Sequence, residues 1–387
     1  MKRSAVVICM FLLFAACTWS EAQEITIGVN FSTTGPAASL GIPNQNALLL
    51  APHVIGGQKV RYIFLDDTSD PTLALQNVKR LISQDNIDVL IGPSITPTTL
   101  AVIETIAAAK VPMIALGSTS RLILPMDEKK KWVFKTVPND DIFAGALVDL
   151  MAKQGVKTMG MIAVNDPYGE SWTEIITQLA AAKGIKILNV EKFNRDDTSA
   201  TGPALRAMSG HPDAIVIAAV GTPAVTPSRD LIERGYKGKI FHCGGMVNGD
   251  FLRVGGKAVE GIYTPTPPLV VTEQLPDGYA TKKAGLEFLK IYEAKYGPGS
   301  RSQYAGHSWD AIKVLEVAIP VALKKGKPGT LQFREALRDA IENVKHVHGV
   351  QARYNMTPAD HSGIDKRGIV MVKVENGTWK LVDYPKF

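Results

Sequence analysis

The chain has 387 residues, of which 45% are hydrophobic and 21% are charged, and its formal net charge is +6. This length suggests about two domains, and the composition excludes an intrinsically disordered chain. Lysines and arginines are scattered, apart from one run at residues 129–131. Because a basic stripe with interleaved aromatic residues is missing, we expect no nucleic-acid partner.

The N-terminus has the pattern of a secretory signal peptide. Lys2 and Arg3 precede an apolar run over residues 5–16, and small residues follow where a signal peptidase would cut after Ala22. The apolar run is too short for a membrane span. The sequence therefore predicts a signal peptide over residues 1–22 and a protein that works in the periplasm.

The cysteines agree with export and leave one alternative open. Cys9 and Cys17 lie within the predicted signal peptide, so Cys243 would remain alone and no intramolecular disulfide is expected. Residues 13–17, LFAAC, also resemble a bacterial lipoprotein signal in which Cys17 carries the lipid. We expect a periplasmic monomer, either free or anchored through Cys17.

After the signal peptide, short apolar strands alternate with amphipathic helices in two series, over residues 24–136 and 142–264. The predicted strands cover residues 24–30, 60–67, 87–93, 111–116, 158–166, 185–193, 213–220 and 239–245. The predicted helices between them cover residues 71–85, 98–110 and 171–184. Apolar strands that alternate with helices indicate parallel sheets covered on both faces.

Two proline-containing stretches, residues 135–141 and 263–270, interrupt the alternation. Helical patterns return over residues 284–297 and 307–326. The chain ends in an alternating run over residues 369–384 with an Asn-Gly pair in its middle, which is typical of a β-hairpin. The sequence therefore predicts two similar α/β halves, then helices, then a terminal hairpin.

Hydroxyl-rich loops follow four of the predicted strands, at residues 91–99, 115–121, 163–172 and 218–227. In an open parallel sheet, ligands lie beyond the C-terminal ends of the strands, where loops meet helix N-termini. Helix N-termini also favour anions, because their backbone N–H groups are unpaired. We expect these loops to form a binding site.

Five segments resemble those of a known family. They are YIFLDDTSDP, IGPSITPTTLAV, VPMIALGSTS, AVNDPYGES and GGMVNGDFLRVGGKAVEGIY, in that order. Their order and spacing resemble those of the leucine/isoleucine/valine-binding proteins, which are type I periplasmic solute receptors of ABC importers. The resemblance covers residues 24–384. It implies an α/β fold of two Rossmann-like lobes with parallel sheets, joined by a three-strand hinge and closing on a ligand.

The resemblance also divides the chain and implies partners. Lobe 1 would contain residues 24–138 and 269–345, and lobe 2 residues 139–268 and 346–387. A membrane permease and ATPase complex would receive the solute, and no cofactor or catalytic residue is implied. A ligand sensor or regulator of the same fold remains an alternative. An enzyme is a third class, although the common hydrolase, zinc, P-loop and dinucleotide motifs are missing.

On lobe 1, the resemblance places a ligand carboxylate against Thr96 and Thr119. Gly117 and Ser118 would add backbone groups, and Leu40 would pack on the body of the ligand. Neutral hydroxyl and amide donors at a helix N-terminus can bind an anion without a buried cation. Helix capping remains a simpler explanation for Thr96 and Ser118.

On lobe 2, Tyr168 corresponds to an aromatic residue that closes over the ligand, and Thr222 lies in a loop that supplies a further contact. Amino-acid binders have an acid in the loop that here contains Gly245 and Met246. A buried ammonium without a counter-charge is costly. The sequence therefore favours a carboxylate with an aromatic or aliphatic body, against which Met246 would pack, while an amino acid remains possible.

Other polar residues have simpler explanations. Asp166 and Glu170 are expected to fix the turn at the start of a helix. His346 and His348 could share a strand face, but no third metal ligand is evident in the sequence, so no metal site is predicted.

Overall fold

A computed structural model describes residues 23–385. The predicted signal peptide, with Cys9 and Cys17, lies outside the described residues. Within residues 23–385, no helix has the length and apolar character needed to cross a membrane.

The first of two large sheets contains six strands. They are β1 (Ile25–Phe31), β2 (Val54–Ile55), β3 (Gln58–Asp66), β4 (Val89–Ile91), β5 (Met113–Ala115) and β6 (Val133–Lys135). Their order is β2-β3-β1-β4-β5-β6, and every pair except β2 with β3 is parallel. Strand β1 is buried along its whole length, as expected for a central strand covered on both faces.

The second sheet contains seven strands. They are β7 (Thr158–Val164), β8 (Lys186–Phe193), β9 (Ala214–Ala218), β10 (Lys239–His242), β11 (Tyr263–Thr266), β14 (Val370–Glu375) and β15 (Thr378–Asp383). Their order is β15-β14-β11-β10-β9-β7-β8; β14 pairs antiparallel with both β11 and β15, and the other pairs are parallel. Along the chain between β11 and β14, β12 (Val347–His348) and β13 (Arg353–Tyr354) form a small antiparallel pair of their own.

Eleven α-helices cover the sheets within the described residues. They are α1 (Ala38–Leu48), α2 (Pro71–Ser83), α3 (Thr96–Ala109), α4 (Asp140–Lys153), α5 (Pro167–Ala182), α6 (Thr201–Ala207), α7 (Val225–Glu233), α8 (Gly249–Gly255), α9 (Lys282–Tyr296), α10 (Gln303–Ala322) and α11 (Leu331–Glu342). Helix α10 packs on α1 and α11, whereas α4 and α5 pack on each other beside the second sheet. We call the first sheet with α1–α3 and α9–α11 lobe 1, and the second sheet with α4–α8 lobe 2.

The predicted α/β class with parallel sheets in two lobes is confirmed. The residue boundaries predicted for the lobes stay predictions. One expectation was wrong. Residues 263–270 were predicted to interrupt the alternation of strands and helices, but this stretch begins with β11, which lies between β10 and β14. Pro265 lacks an N–H group, but the fixed φ of proline is compatible with an extended strand, so the sheet loses one donor and continues.

Helix α5 begins earlier than predicted, at Pro167 rather than at residue 171. Asp166 is its N-cap, and its Oδ1 accepts hydrogen bonds from the backbone N–H groups of Tyr168 and Gly169. Proline at the first helical position also favours this start. The predicted capping role of Asp166 is confirmed, and Tyr168 consequently lies in the first turn of the helix.

Candidate functional site

A narrow cavity lies between the two lobes, and the space between its walls, with adjoining open solvent included, is about 430 Å³. On lobe 1 it is lined by the loops after β4 and β5 and by the first two turns of α10. On lobe 2 it is lined by the first turn of α5 and by the loops after β8, β9 and β10. The cavity therefore lies beyond the C-terminal ends of the parallel strands, where α/β proteins bind ligands.

Five of the eight predicted ligand-binding residues line this cavity, namely Leu40, Thr96, Gly117, Ser118 and Tyr168. The other three, Thr119, Thr222 and Met246, are absent from its lining. Thr119 and Thr222 hydrogen-bond across the lobes, and Met246 is buried behind the cavity wall.

Thr119 connects the two lobes. Its hydroxyl lies 2.8 Å from the hydroxyl oxygen of Ser171 on α5. Ser171 donates its own proton to Asp140 Oδ2 at 2.5 Å, so Thr119 must be the donor to Ser171. The hydroxyl therefore makes an interlobe hydrogen bond, and its contact with a ligand stays a prediction.

The predicted lobe 2 contacts at Thr222 and Met246 are also placed away from the cavity. The backbone N–H of Thr222 lies 3.3 Å from Ser39 Oγ on α1, so this loop touches lobe 1. Met246 is fully buried behind the wall. Its neighbour Gly245 lines the cavity, and a Cβ at that position would lie 2.4 Å from Val220 Cγ1, so no side chain fits there without a shift.

Thr96 is the first residue of α3, and its buried hydroxyl has no hydrogen-bond partner. The N-cap position belongs to Ile95, and no side chain caps this helix. Helix capping therefore does not explain Thr96. A buried hydroxyl without a partner is costly, and a polar group of a ligand in the cavity would relieve that cost.

Lys135, at the end of β6, fixes the loop that contains Ser118. It is fully buried, and its Nζ donates to the carbonyl oxygens of Ser118 at 2.5 Å and Thr119 at 3.1 Å. The third proton is directed to Asn139 Oδ1 at 2.7 Å. Burial lowers the pKa of Lys135 to about 8. The lysine therefore adds a cation beside the cavity but has no unused donor.

Arg195, which the sequence analysis did not identify, lines the lobe 2 side of the cavity. Its Nε donates to Asp166 Oδ2 at 2.6 Å. Its Nη1 and Nη2 are buried and have no hydrogen-bond partner. Since Asp166 also caps α5, the start of this helix holds the guanidinium in place.

The first two turns of α10 supply three further residues that the sequence analysis did not identify: Gln303, Tyr304 and His307. The hydroxyl of Tyr304 donates to the carbonyl of Gly245 at 2.5 Å, which joins lobe 1 to lobe 2. His307 Nδ1 lies 3.2 Å from the carbonyl of Thr136, and burial lowers its pKa to about 3. A neutral ring with a proton on Nδ1 leaves Nε2 as an acceptor.

Tyr168 contributes its ring rather than a free hydroxyl. Its hydroxyl oxygen lies 2.9 Å from Cys243 Sγ, and that thiol donates to the carbonyl of Ala219 at 3.1 Å. The Tyr168 hydroxyl must therefore be the donor to sulfur, and burial raises its pKa well above the usual value. The side chain therefore presents its ring to the cavity as an apolar wall.

No Asp or Glu lines the cavity within residues 23–385. The nearby carboxylate of Asp140 is already engaged, because Oδ1 accepts from the Ser120 N–H and Oδ2 accepts from Ser171. Asp310 is likewise bound, to Tyr354 and to two backbone N–H groups. With Arg195 at its wall, the cavity is suited to an anion rather than to a cation.

The described part of the chain has no group of three or more His, Cys, Asp or Glu side chains that could hold a metal ion. A serine–histidine pair does occur, because Ser228 Oγ lies 2.8 Å from His242 Nε2. Both residues are fully buried outside the cavity lining, and burial lowers the pKa of His242 to about 3. This pair is therefore unsuited to act as a nucleophile and base on a ligand.

Comparison with solved structures gives closely similar folds. An extracellular ligand-binding receptor from Rhodopseudomonas palustris HaA2 is 43% identical, with 93% of this chain and 100% of that chain covered and a TM-score of 0.90. A solute binding protein of an ABC transporter from Rhodopseudomonas palustris BisB5, in complex with 3,4-dihydroxy benzoic acid, shares the fold at 21% identity. That match covers 94% of this chain and 97% of the other, with a TM-score of 0.79.

Curated relatives are more distant in sequence. Leu/Ile/Val-binding protein homolog 7 from Brucella abortus is 24% identical over 339 residues, which is 82% of each chain. A chemotactic signal transduction system substrate-binding protein, BasB from Halobacterium salinarum, is 24% identical over 56% of this chain. The chain spans about half the length of that relative, 55%.

A family model described as periplasmic binding protein matches residues 24–378. This match extends over both sheets as far as the start of β15 and over every loop that lines the cavity. The chain therefore belongs to the type I periplasmic binding protein family, which includes the leucine/isoleucine/valine-binding proteins.

Proposed function

We propose that this protein is the extracytoplasmic solute-binding component of an ABC importer and that it captures a small carboxylated solute by closure of its lobes. One observation carries the proposal. The cavity between the lobes contains buried, unpaired donors at Thr96 and Arg195 and no lining acid within the described residues. A buried anion requires such donors, because removal of a carboxylate from water is costly when it is not paired.

The body of the solute is aromatic or aliphatic. The side chains of Leu40, Leu116, Phe143, Tyr168 and Val220 give the cavity apolar walls. Pockets of this kind hold a ligand by apolar contact and orient it with a few polar groups. The complex of the BisB5 protein with 3,4-dihydroxy benzoic acid supports an aromatic acid as one member of this class.

Among the predicted residues, we propose that Leu40, Thr96, Gly117, Ser118 and Tyr168 contact the solute. Three others act differently. Thr119 and Thr222 stabilise the closed arrangement through their bonds across the lobes. Met246 supports the wall from behind.

A standard α-amino acid fits this proposal poorly. Its ammonium would need a counter-charge, but Gly245 has no space for an acidic side chain and Asp140 is already engaged. Asp250, another acid near this loop, pairs instead with Arg253 at 2.8 Å. The deficit for an unpaired ammonium would amount to several kcal/mol, on the order of the penalty for a buried single charge.

A ligand sensor of the same fold is the second candidate, because BasB is described as a component of chemotactic signal transduction. Both roles require binding without turnover, so uptake must be measured separately. Under the transport proposal, deletion of the gene abolishes uptake of a labelled solute. Retained uptake with a lost behavioural response to the solute would favour the sensor.

Mass spectrometry of solute that co-purifies with the protein tests the binding role itself. We expect an unmodified carboxylic acid in a ratio of about one per protein molecule, as for a single cleft site. Incubation with the identified acid should return it chemically unchanged. Conversion to a product would contradict a binding protein and favour an enzyme.

A further inference from the structure

The lobe 2 wall holds a guanidinium with two unused nitrogen donors. The Arg195 side chain is 14% exposed, and both Nη1 and Nη2 are buried without a hydrogen-bond partner. Unsatisfied charged N–H groups carry a large desolvation cost. Because Arg195 lines the cavity, the ligand is the group that is placed to satisfy them.

Asp166 is a positioning residue for this guanidinium. Its Oδ2 accepts from Arg195 Nε at 2.6 Å, while its Oδ1 accepts from the first turn of α5. The positive end of the helix dipole offsets the charge of Asp166. The charge of Arg195 is therefore not cancelled by Asp166 alone, and its outer nitrogens stay available for a second anion.

Lobe 1 offers neutral groups in contrast. The unpaired donor there is the hydroxyl of Thr96. Lys135 is the nearby cation, but its three protons are directed to the Ser118 and Thr119 carbonyls and to Asn139. The lobe 1 wall can thus hydrogen-bond a polar group without offering it a charged partner.

We propose that the ligand carboxylate binds Nη1 and Nη2 of Arg195 on lobe 2, and that the Thr96 hydroxyl on lobe 1 binds an uncharged polar group at the other end of the ligand. A planar guanidinium matches a carboxylate through two parallel hydrogen bonds. This inference rests on the proposed function. It reverses the orientation implied by the family resemblance, in which the carboxylate lies on lobe 1.

The test is a calorimetric comparison of matched acids and primary amides. The probes are 4-hydroxybenzoate, 3-(4-hydroxyphenyl)propanoate and hexanoate, each beside its amide, with the full mature chain. Arg195→Met should lower affinity for the best-bound acid by about 100-fold and remove the preference for acid over amide. Arg195→Lys, which keeps the charge but loses the planar fork, should retain part of that preference.

Two further variants complete the design. Thr96→Val should weaken binding of each hydroxyphenyl acid and of its amide by a similar factor, roughly 5-fold, because a neutral hydrogen bond is lost. Arg206→Met is the matched control, since Arg206 is an arginine of the same lobe whose partner is Glu191 at the protein surface. It should leave both affinities unchanged. Thermal melts of every variant monitor folding.

The possible outcomes distinguish the two claims. If Arg195→Met and Arg195→Lys keep the preference for acid and Thr96→Val removes it, the carboxylate lies on lobe 1, and this inference is wrong while the proposed function stands. If the unaltered protein binds none of the acids, the proposed function is wrong and the inference is overturned with it.

Discussion

At the scale of single residues, Lys135 links the charge of the site to pH. Its Nζ is fully buried, and burial lowers its pKa from 10.5 to about 8, against the opposing effect of Asp140, Asp141 and Asp360. The unfolded chain keeps the proton at a higher pH than the folded one. The buried charge of Lys135 therefore lowers the free energy of unfolding below about pH 8. This loss disappears as the pH rises towards about 10.5.

Binding of a carboxylate should show the opposite trend. An anion in the cavity favours the charged lysine, so affinity should fall by a few fold as the pH rises from about 7 to about 9.5. The neighbours Tyr168 and Cys243 have pKa values raised by burial, and His307 stays neutral over this range. Calorimetry at several pH values checks this, with Lys135→Met expected to bind more weakly and without the pH trend. The same trend in that variant would exclude Lys135 as its source.

Gly245 allows a second prediction at this scale. A Cβ there would lie 2.4 Å from Val220 Cγ1 and 2.8 Å from the Tyr168 hydroxyl oxygen. Gly245→Ala should therefore weaken solute binding by about 1 to 3 kcal/mol through overpacking of the wall. Gly145→Ala on α4 is the control, because nothing lies within 4 Å of its Cβ, and it should leave affinity unchanged. Equal affinities of both variants would argue against a tight wall at Gly245.

At the scale of elements, the loop after β5 is joined to α4 and α5 by a chain of side chains. Thr119 donates to Ser171, and Ser171 donates to Asp140. Tyr304 on α10 similarly reaches the Gly245 carbonyl across the cleft. The bonds of Thr119 with Ser171 and of Tyr304 with Gly245 join the two lobes around the cavity, so we expect them to contribute to affinity without contact with the solute.

Thr119→Ala and Ser171→Ala should each weaken solute binding by about 1 kcal/mol, because each removes one interlobe hydrogen bond. The double variant should lose little more than either single one, since the two residues share that bond. Thr173→Ala, whose hydroxyl bonds only within α5, is the control in a calorimetric double-mutant cycle. Fully additive losses would indicate that Thr119 contacts the solute directly.

The alternation of strands and helices was predictable because buried parallel strands form continuous apolar runs and the helices between them have an apolar face. The terminal hairpin followed from the Asn-Gly pair, and β14 and β15 pair as predicted. Strand β11 was not predicted, because prolines such as Pro265 are unusual in a central strand. The neighbouring strands supply the hydrogen bonds that remain.

The residues of the site were predictable only where they follow strand ends. Thr96, Gly117 and Ser118 follow strand ends, where the fold places ligand contacts. His307 reaches the cavity because α10 packs on α1, which is a long-range contact with no local pattern. Arg195 lies in a polar loop where an arginine is ordinarily solvated, and only its burial beside Asp166 distinguishes it.

At the scale of the whole molecule, solute binding and folding stability should be coupled. The cavity takes its walls from both lobes, so a bound solute adds contacts that the unfolded chain lacks. At about 100 times the dissociation constant, a bound acid should add roughly 2.7 kcal/mol to the free energy of unfolding. A thermal-shift series over aromatic and aliphatic acids checks this. If the melting temperature did not depend on acid concentration, no acid of the series would bind the folded state.

We propose that the cleft selects a carboxylic acid without an α-amino group. The proposal rests on Arg195 and Thr96 as unpaired donors and on the lack of a lining acid within residues 23–385. Calorimetric titration of the mature protein with leucine, isoleucine and valine, beside hydroxybenzoate and aliphatic acids, is the most direct test. We expect saturable binding of at least one of these acids and of none of the amino acids. Micromolar or tighter binding of leucine, with no binding of the acids, would contradict it.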